Sequence, residues 1–357
     1  MPGNRLARAG AELHRRRLDA LIVSHPANIR YLTGLNASAG ACVVTPSACT
    51  LVVDFRYATA AAEAVAGSGI EIEIADASID DGTIAVMRRL RPERIGVEGA
   101  HLTVARFNKL REALTPAELI STDRVIEQLR VIKDAEEIER LRQAGRLISA
   151  VARQARRWVV AGAAEVEVAA FVDAAMRQAG FERPAFDTIV ASGPNGSLPH
   201  ARPTRRRLAE GEGVVLDFGG VYDGYCVDLT RTLLIGEVPA PFRRMFEAVR
   251  EAQAAAIAAV VPGAAAADID GAARRVLGAH GLASAFGHGT GHGLGLEVHE
   301  EPRISRTAPD DERVQEGMVF TIEPGVYIPG VGGVRIEDDV LVVTGGCELL
   351  TDVPIEL

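Results

Sequence analysis

Cysteine is scarce: Cys42, Cys49, Cys226 and Cys347 are the only four in 357 residues, and no two form a CxxC pair. This excludes a disulfide framework and a thiolate zinc knuckle, and it points to reduced structural thiols of the kind kept in the cytoplasm. Long apolar runs are missing too. Nothing reaches the roughly 18 consecutive apolar residues of a membrane span, and the alanine-rich AQAAAIAAVVPGAAAAD is broken by Pro262 and Gly263. The basic N-terminal MPGNRLARAGAELHRRRLDA has no apolar core of roughly 7–15 residues, so no secretory signal is expected. Without one, the N-x-S sequons at Asn36 and Asn195 carry no weight. Positive charge is in deficit, with 39 Lys plus Arg against 48 Asp plus Glu and a formal net charge of −9. That is the wrong sign for binding nucleic acid by phosphate neutralisation. The tight basic runs, Arg15–Arg17 and Arg205–Arg207, read as solvated faces. Also absent are a GxSxG elbow, an HExxH zincin helix, a P-loop and a GxGxxG dinucleotide turn.

What is present is an ordinary globular composition, 48% hydrophobic and 24% charged, in a chain long enough for two domains. Up to about Asp123 short apolar runs (ALIVS, ACVVTP, CTLVVD, IEIEIAD, RIGVEG, ELIST) alternate with helical stretches (Asn28 to Thr33, FRYATAAAEAVA, VMRRLR, VARFNKLREAL), the pattern of an α/β domain. The character then changes. Asp134 is a candidate N-cap with Glu137 three residues on, leading into apolar positions Ile138, Leu141, Ile148 and Val151. The boundary is placed at about residue 128, giving domains 1–127 and 128–357. The second holds two long helical patterns, this one and PFRRMFEAVREAQAAAIAAV, among β-rich segments, an α+β arrangement.

The unusual polar residues lie in those β-rich segments. GEGVVLDFGGVYDGYCVDLTRTLLIG reads as a hairpin turning at Asp223-Gly224, which sets Tyr222 against Tyr225 and Asp217 against Thr230. With a period of two, Asp217 and Asp228 then share one sheet face. Asp217 follows the run VVL and should be largely buried, where an unpaired anion costs several kcal/mol. For this hairpin alone, a metal ion and a structural pair with nearby Arg231 are both open. GHGTGHGLGLEVHEEP places His288, His292 and His299 among glycines that let backbone crowd close, and neutral imidazole is the commonest metal ligand. FTIEPGVYIPGVGGVRIEDDVLVV adds Glu323 and Glu337, each following a short apolar strand. Carboxylates with a single imidazole form an oxygen-rich set suited to manganese, iron or cobalt, and carboxylates that bridge suit two ions.

LDFGGVYDGYCVDLTRT, GHGTGHGLGLEVHEEP, FTIEPGVY and GGVRIEDDV together resemble the metal-site motifs of the pita-bread metallopeptidases, in the branch of Xaa-Pro aminopeptidases and prolidases. The resemblance spans about residues 130–357, and the preceding domain resembles that branch's creatinase-like N-terminal domain. It implies an α+β pita-bread catalytic domain behind an α/β creatinase-like one. It also implies two divalent ions, manganese first, with cobalt, iron or zinc as alternatives. Asp217 would bind one ion, His292 and Glu323 the other, and Asp228 and Glu337 would bridge them. Glu323 would also shuttle the proton of the attacking water. SGPNGSLPHARP resembles the segment that brings a further histidine, here His200; with His299 it would stabilise the tetrahedral intermediate, while His288 and Arg335 would stand behind the ligands. In resembling prolidases an arginine at the position of Arg303 holds the substrate's carboxylate.

The activity implied is cleavage of the Xaa-Pro bond of proline-containing peptides, with release of the first residue from longer chains favoured slightly over a dipeptide-only prolidase. More distant alternatives are a creatinase-like hydrolase, a metal-dependent lyase or a non-catalytic binding module; the intact five-ligand set argues against loss of the metals. Methionine aminopeptidase ranks lower because it commonly lacks so large an N-terminal domain. A cytoplasmic homodimer without nucleic-acid or membrane partners completes the expectation.

Overall fold

In the computed structural model, which describes residues 2–355, the apolar runs before Arg130 build a six-stranded sheet. Its strands are β1 (Ala20–Val23), β2 (Ala41–Val44), β3 (Cys49–Val53), β4 (Glu71–Ile74), β5 (Arg94–Glu98) and β6 (Glu118–Thr122), in the order β4-β3-β2-β1-β5-β6. The pairs β1–β5, β5–β6 and β3–β4 are parallel, and β2 runs antiparallel between β1 and β3. Parallel neighbours require crossovers, supplied here by α3 (Ala58–Ala64), α4 (Ile79–Leu90) and α5 (Val104–Ala113), while α1 (Pro2–Arg15), α2 (Pro26–Thr33) and the one-turn α6 (Glu127–Arg130) complete the unit. Strands β1 to β3 are buried along their whole length, as central strands covered on both faces must be. The helix expected from Phe55 starts later: Phe55–Tyr57 is a 3₁₀ turn because the Asp54 side chain accepts the Arg56 N–H. Helix α1 takes up the basic N-terminal stretch, with His14 and Arg15 in its last turn.

The second unit begins at Val131. Helix α7 (Ala135–Ala155) starts at Asp134, whose side chain accepts the N–H of Glu137 while Glu137 accepts that of Asp134. Three more helices follow, α8 (Glu165–Ala179), α9 (Ala240–Ala258) and α10 (Ala266–Ala279). The sequence pattern separates only α7 and α9. Val166, Val168 and Val172 give α8 the local look of a strand, and packing overrides that preference.

Strands β7 (Arg183–Pro184) and β8 (Ile189–Ser192) both pair with β9 (Glu212–Tyr222), which also pairs with β10 (Tyr225–Ile235). A five-stranded sheet has β11 (Gly291–Gly293), β12 (Glu300–Ile304), β13 (Val319–Ile322), β16 (Asp338–Val343) and β17 (Gly346–Leu349) in the order β12-β11-β13-β16-β17, and β14 (Gly325–Ile328) pairs with β15 (Gly332–Arg335). Helices α7 and α8 pack Ile148, Val151, Val168 and Val172 against Leu216, Phe218, Val227 and Leu229 of the hairpin. Helices α9 and α10 pack Phe246, Val249, Ile269 and Leu277 against Phe320, Ile322 and Val340. Each such side chain contributes roughly 1.5–3 kcal/mol through burial, so the polar strand ends described below are carried on rigid supports.

The four cysteines are free thiols, and Cys42, Cys49 and Cys226 are buried. No helix among the described residues is long and apolar enough to cross a membrane.

Candidate metal centre

The hairpin β9–β10 turns at Asp223 and Gly224, with φ of 45° and 80°, and its register sets Asp217 opposite Thr230 and Asp228 opposite Gly219. Both aspartates therefore face the same side. Opposite them come His292 from the three-residue strand β11, Glu323 just beyond β13 and Glu337 between β15 and β16. Strand β11 fits because its flanking residues are glycines: a Cβ on Gly291 would sit 1.8 Å from the Thr321 carbonyl oxygen, and one on Gly293 would sit 2.1 Å from that of Glu301.

Asp228, His292 and Glu337 each offer a ligand atom within 4.8 Å of the others. His292 Nε2 is 4.0 Å from Asp228 Oδ2 and 3.6 Å from Glu323 Oε1. Asp217 joins them through Arg335, whose guanidinium donates to Asp217 Oδ2, to Thr230 Oγ1 (3.2 Å) and to Tyr327 Oη (2.7 Å). The structure thus brings together all five acidic and imidazole groups singled out in the sequence. It corrects the pairing considered for the hairpin. Arg231, adjacent to Thr230 and so on the opposite face, binds Asp338 at 2.7 Å, and Asp217 pairs with Arg335.

Several holding groups carried no signal in the sequence. Thr230 Oγ1 donates to Glu337 Oε2 (2.7 Å). Thr321 Oγ1 accepts the His292 N–H (3.2 Å). Asp339 Oδ2 accepts the N–H of Asp228 (3.0 Å). The His288 ring spans Gly289 O (2.7 Å, from Nδ1) and Tyr327 Oη (2.9 Å, from Nε2). A carbonyl only accepts, so Nδ1 carries the proton and Nε2 accepts the Tyr327 hydroxyl, which in turn accepts from Arg335. The chain His288–Tyr327–Arg335–Asp217 is therefore directional and fully committed.

His299 packs its ring on His292, centroids 4.4 Å apart. His200 is exposed, on the loop after β8, near His288 and His299. Arg303 is directly across from His292 in the β11–β12 ladder, is exposed, and has no hydrogen-bond or ion-pair partner among the described residues. Its charge acts on His292, His299 and Glu323. Glu300 pairs with the buried Lys133 at 3.4 Å.

The electrostatics call for a cation. Burial, reinforced by Asp217, Asp339 and Glu323, drives the Asp228 carboxyl far above the ordinary carboxylate range. Burial and then Asp228, Glu323 and Asp217 do the same to Glu337, and burial lifts Glu323 to about 8. Burial and then His299 push His292 down to about 3, so its ring is neutral. Because His292 Nδ1 faces the Gly293 carbonyl (3.1 Å), the lone pair sits on Nε2, toward the carboxylates. Asp217 Oδ1 and Asp228 Oδ1 are buried without a hydrogen-bond partner. Orphaned carboxylate oxygens beside a neutral imidazole lone pair fit a bound divalent metal, which satisfies both at once.

Residues 139–344 match the Metallopeptidase family M24, and residues 5–132 match the Creatinase/Prolidase N-terminal domain. The Xaa-Pro dipeptidase of Pyrococcus furiosus is 36% identical over 342 residues, covering 95% of each chain. A solved Xaa-Pro dipeptidase from Bacillus anthracis superposes with a TM-score of 0.96 at 33% identity, over 100% of this chain and 99% of the other. An X-Pro aminopeptidase from Thermotoga maritima superposes with a TM-score of 0.89 at 32% identity, over 97% and 99%.

Proposed function

Because this chain belongs to metallopeptidase family M24 and has the pita-bread catalytic fold behind a creatinase-like domain, we propose that it is an Xaa-Pro dipeptidase that hydrolyses dipeptides ending in proline. The sequence alone leans towards an aminopeptidase. That preference is not confirmed, and the balance moves to the dipeptidase on two grounds, the relatives that bear that name and Arg303.

Arg303 is the observation that carries the reading. A dipeptide presents a free carboxylate one residue beyond the scissile bond, and a carboxylate leaving water needs a cation, best a planar guanidinium. Arg303 is such a cation, opposite His292 and not engaged by any described acid. In this reading Asp217, Asp228, His292, Glu323 and Glu337 would hold two divalent ions, Asp228 and Glu337 contributing to both. Ions held there would supply polarisation of the scissile carbonyl and a more acidic water. Glu323 takes the water's proton and passes it to the leaving proline nitrogen. His200 and His299 donate hydrogen bonds to the carbonyl oxygen as charge builds on it. Manganese, a homodimer and a cytoplasmic location belong to the same reading.

The test is substrate length. Replacing Arg303 by alanine should lower kcat/KM on Ala-Pro by at least about tenfold, equivalent to roughly 1.4 kcal/mol, and should change hydrolysis of Ala-Pro-Ala much less. Equal losses on both substrates would reject the clamp.

A further inference from the structure

The loop that carries His200 runs from Ser192, at the end of β8, through the 3₁₀ turn Gly193–Ser197 and on to Thr204. His200 is exposed and lies outside any helix or strand, so its placement depends on how the two limbs of this loop are fixed. Both limbs end on one side chain. Glu165, the first residue of α8, is wholly buried, and its Oε1 accepts the Ser192 N–H (2.8 Å) and the Ser192 hydroxyl (2.7 Å) on the incoming side. Its Oε2 accepts the Thr204 N–H (3.0 Å) and the Thr204 hydroxyl (2.6 Å) on the outgoing side. Asn195 Nδ2 lies 3.1 Å from both oxygens and closes the bracket.

The surroundings reinforce this arrangement. The N–H groups of Glu165 and Val166 bind the carbonyls of Arg206 and Thr204, so the outgoing limb is tied to the start of α8 by backbone as well. Arg206, expected on a solvated face, is instead paired with Glu212 and donates to Ser192 Oγ (2.7 Å). Next to His200 itself, Pro199 O accepts from Arg335 Nη1 (3.3 Å), the same guanidinium that holds Asp217. A buried carboxylate without a directly paired cation is costly unless its lone pairs are filled. Here neutral donors from both limbs fill them, and an apolar residue in this place would leave the limbs unconnected. We propose that Glu165 is a positioning residue for His200: by binding Ser192 and Thr204 with one carboxylate, it fixes the loop that presents His200 to the substrate.

This inference rests on the reading of His200 as a substrate-contacting group, and a double-mutant cycle separates the two. Glu165→Gln and, independently, Thr204→Val are made in the wild type and in a His200→Ala background. Ala-Pro hydrolysis, bound metal and folding are then measured for each. Thr204 is exposed, so its variant carries the test if Glu165→Gln does not fold. The expected result is a kcat lowered about tenfold to a hundredfold by Glu165→Gln, the cost of misplacing one group at a reacting centre, and lowered less by Thr204→Val. Bound metal should be unchanged, and neither substitution should cause further loss once His200 is alanine. Equal losses in both backgrounds would overturn the positioning role, as would full activity of both variants in the wild type. Full activity of His200→Ala would overturn the role of His200 and the inference with it.

Discussion

Arg335 holds Asp217 through one nitrogen of its guanidinium while the others reach Thr230 and Tyr327. Thr230 in turn binds Glu337, so two of the five candidate ligands hang on one buried cation. Arg335 stays charged: its burial opposes that, but Tyr327, Asp217 and Glu323 outweigh it. An ammonium group cannot span these acceptors. Arg335→Lys should therefore weaken divalent metal binding or activity by about 10–100-fold, the usual cost of losing a group that orients ligands. Metal titration of the metal-free variant, alongside its circular dichroism, checks this.

Asp228→Ala and Glu337→Ala should each abolish hydrolysis and leave a folded protein holding fewer than two ions per chain. Removing a shared ligand disturbs both ions, whereas losing a terminal one spares its neighbour. Metal analysis of the purified variants decides the point, and full activity in either would sink the two-ion assignment.

Chelation should silence the enzyme reversibly, and manganese or cobalt should restore it better than magnesium, because one imidazole sits among the carboxylates. Turnover that survives a chelator would instead favour the metal-free creatinase-like alternative.

Glu165 offers a pH test independent of the metals. Burial opposes ionisation of its carboxyl, but hydrogen bonds from Thr204 and Ser192 outweigh it and hold the carboxyl below its ordinary range. A carboxyl lowered on folding adds stability above its unfolded pKa of about 4.3, and that stability is lost as pH falls through the folded value. The gap in urea-unfolding stability between wild type and Glu165→Gln should accordingly be widest near neutrality and narrow in acid. A gap that widens in acid would show that the carboxyl is protonated in the folded state.

Turn chemistry and local spacing made part of this architecture legible. Asp223-Gly224 alone sets the register that places Asp217 opposite Thr230, and Asp134 with Glu137 marks the start of α7. What could not be read depends on contacts distant in sequence. Thr230 meets Glu337 and Arg335 more than 100 residues later, and Asp339 meets Asp228 across a similar gap, yet each looks like an ordinary strand residue. Nearness misled as well: Arg231 adjoins Thr230 but faces the other side of the sheet, where Asp338 takes it. Glu165 carries no mark of its role in the sequence, because its partners Ser192 and Thr204 lie 27 and 39 residues on.

The most direct measurement is wild-type kcat/KM, with manganese supplied, for proline release from Ala-Pro and for alanine release from Ala-Pro-Ala. A dipeptidase with Arg303 at the substrate carboxylate should favour Ala-Pro by at least about tenfold, or roughly 1.4 kcal/mol in transition-state binding. Preference for the tripeptide would contradict the account and make the enzyme an aminopeptidase.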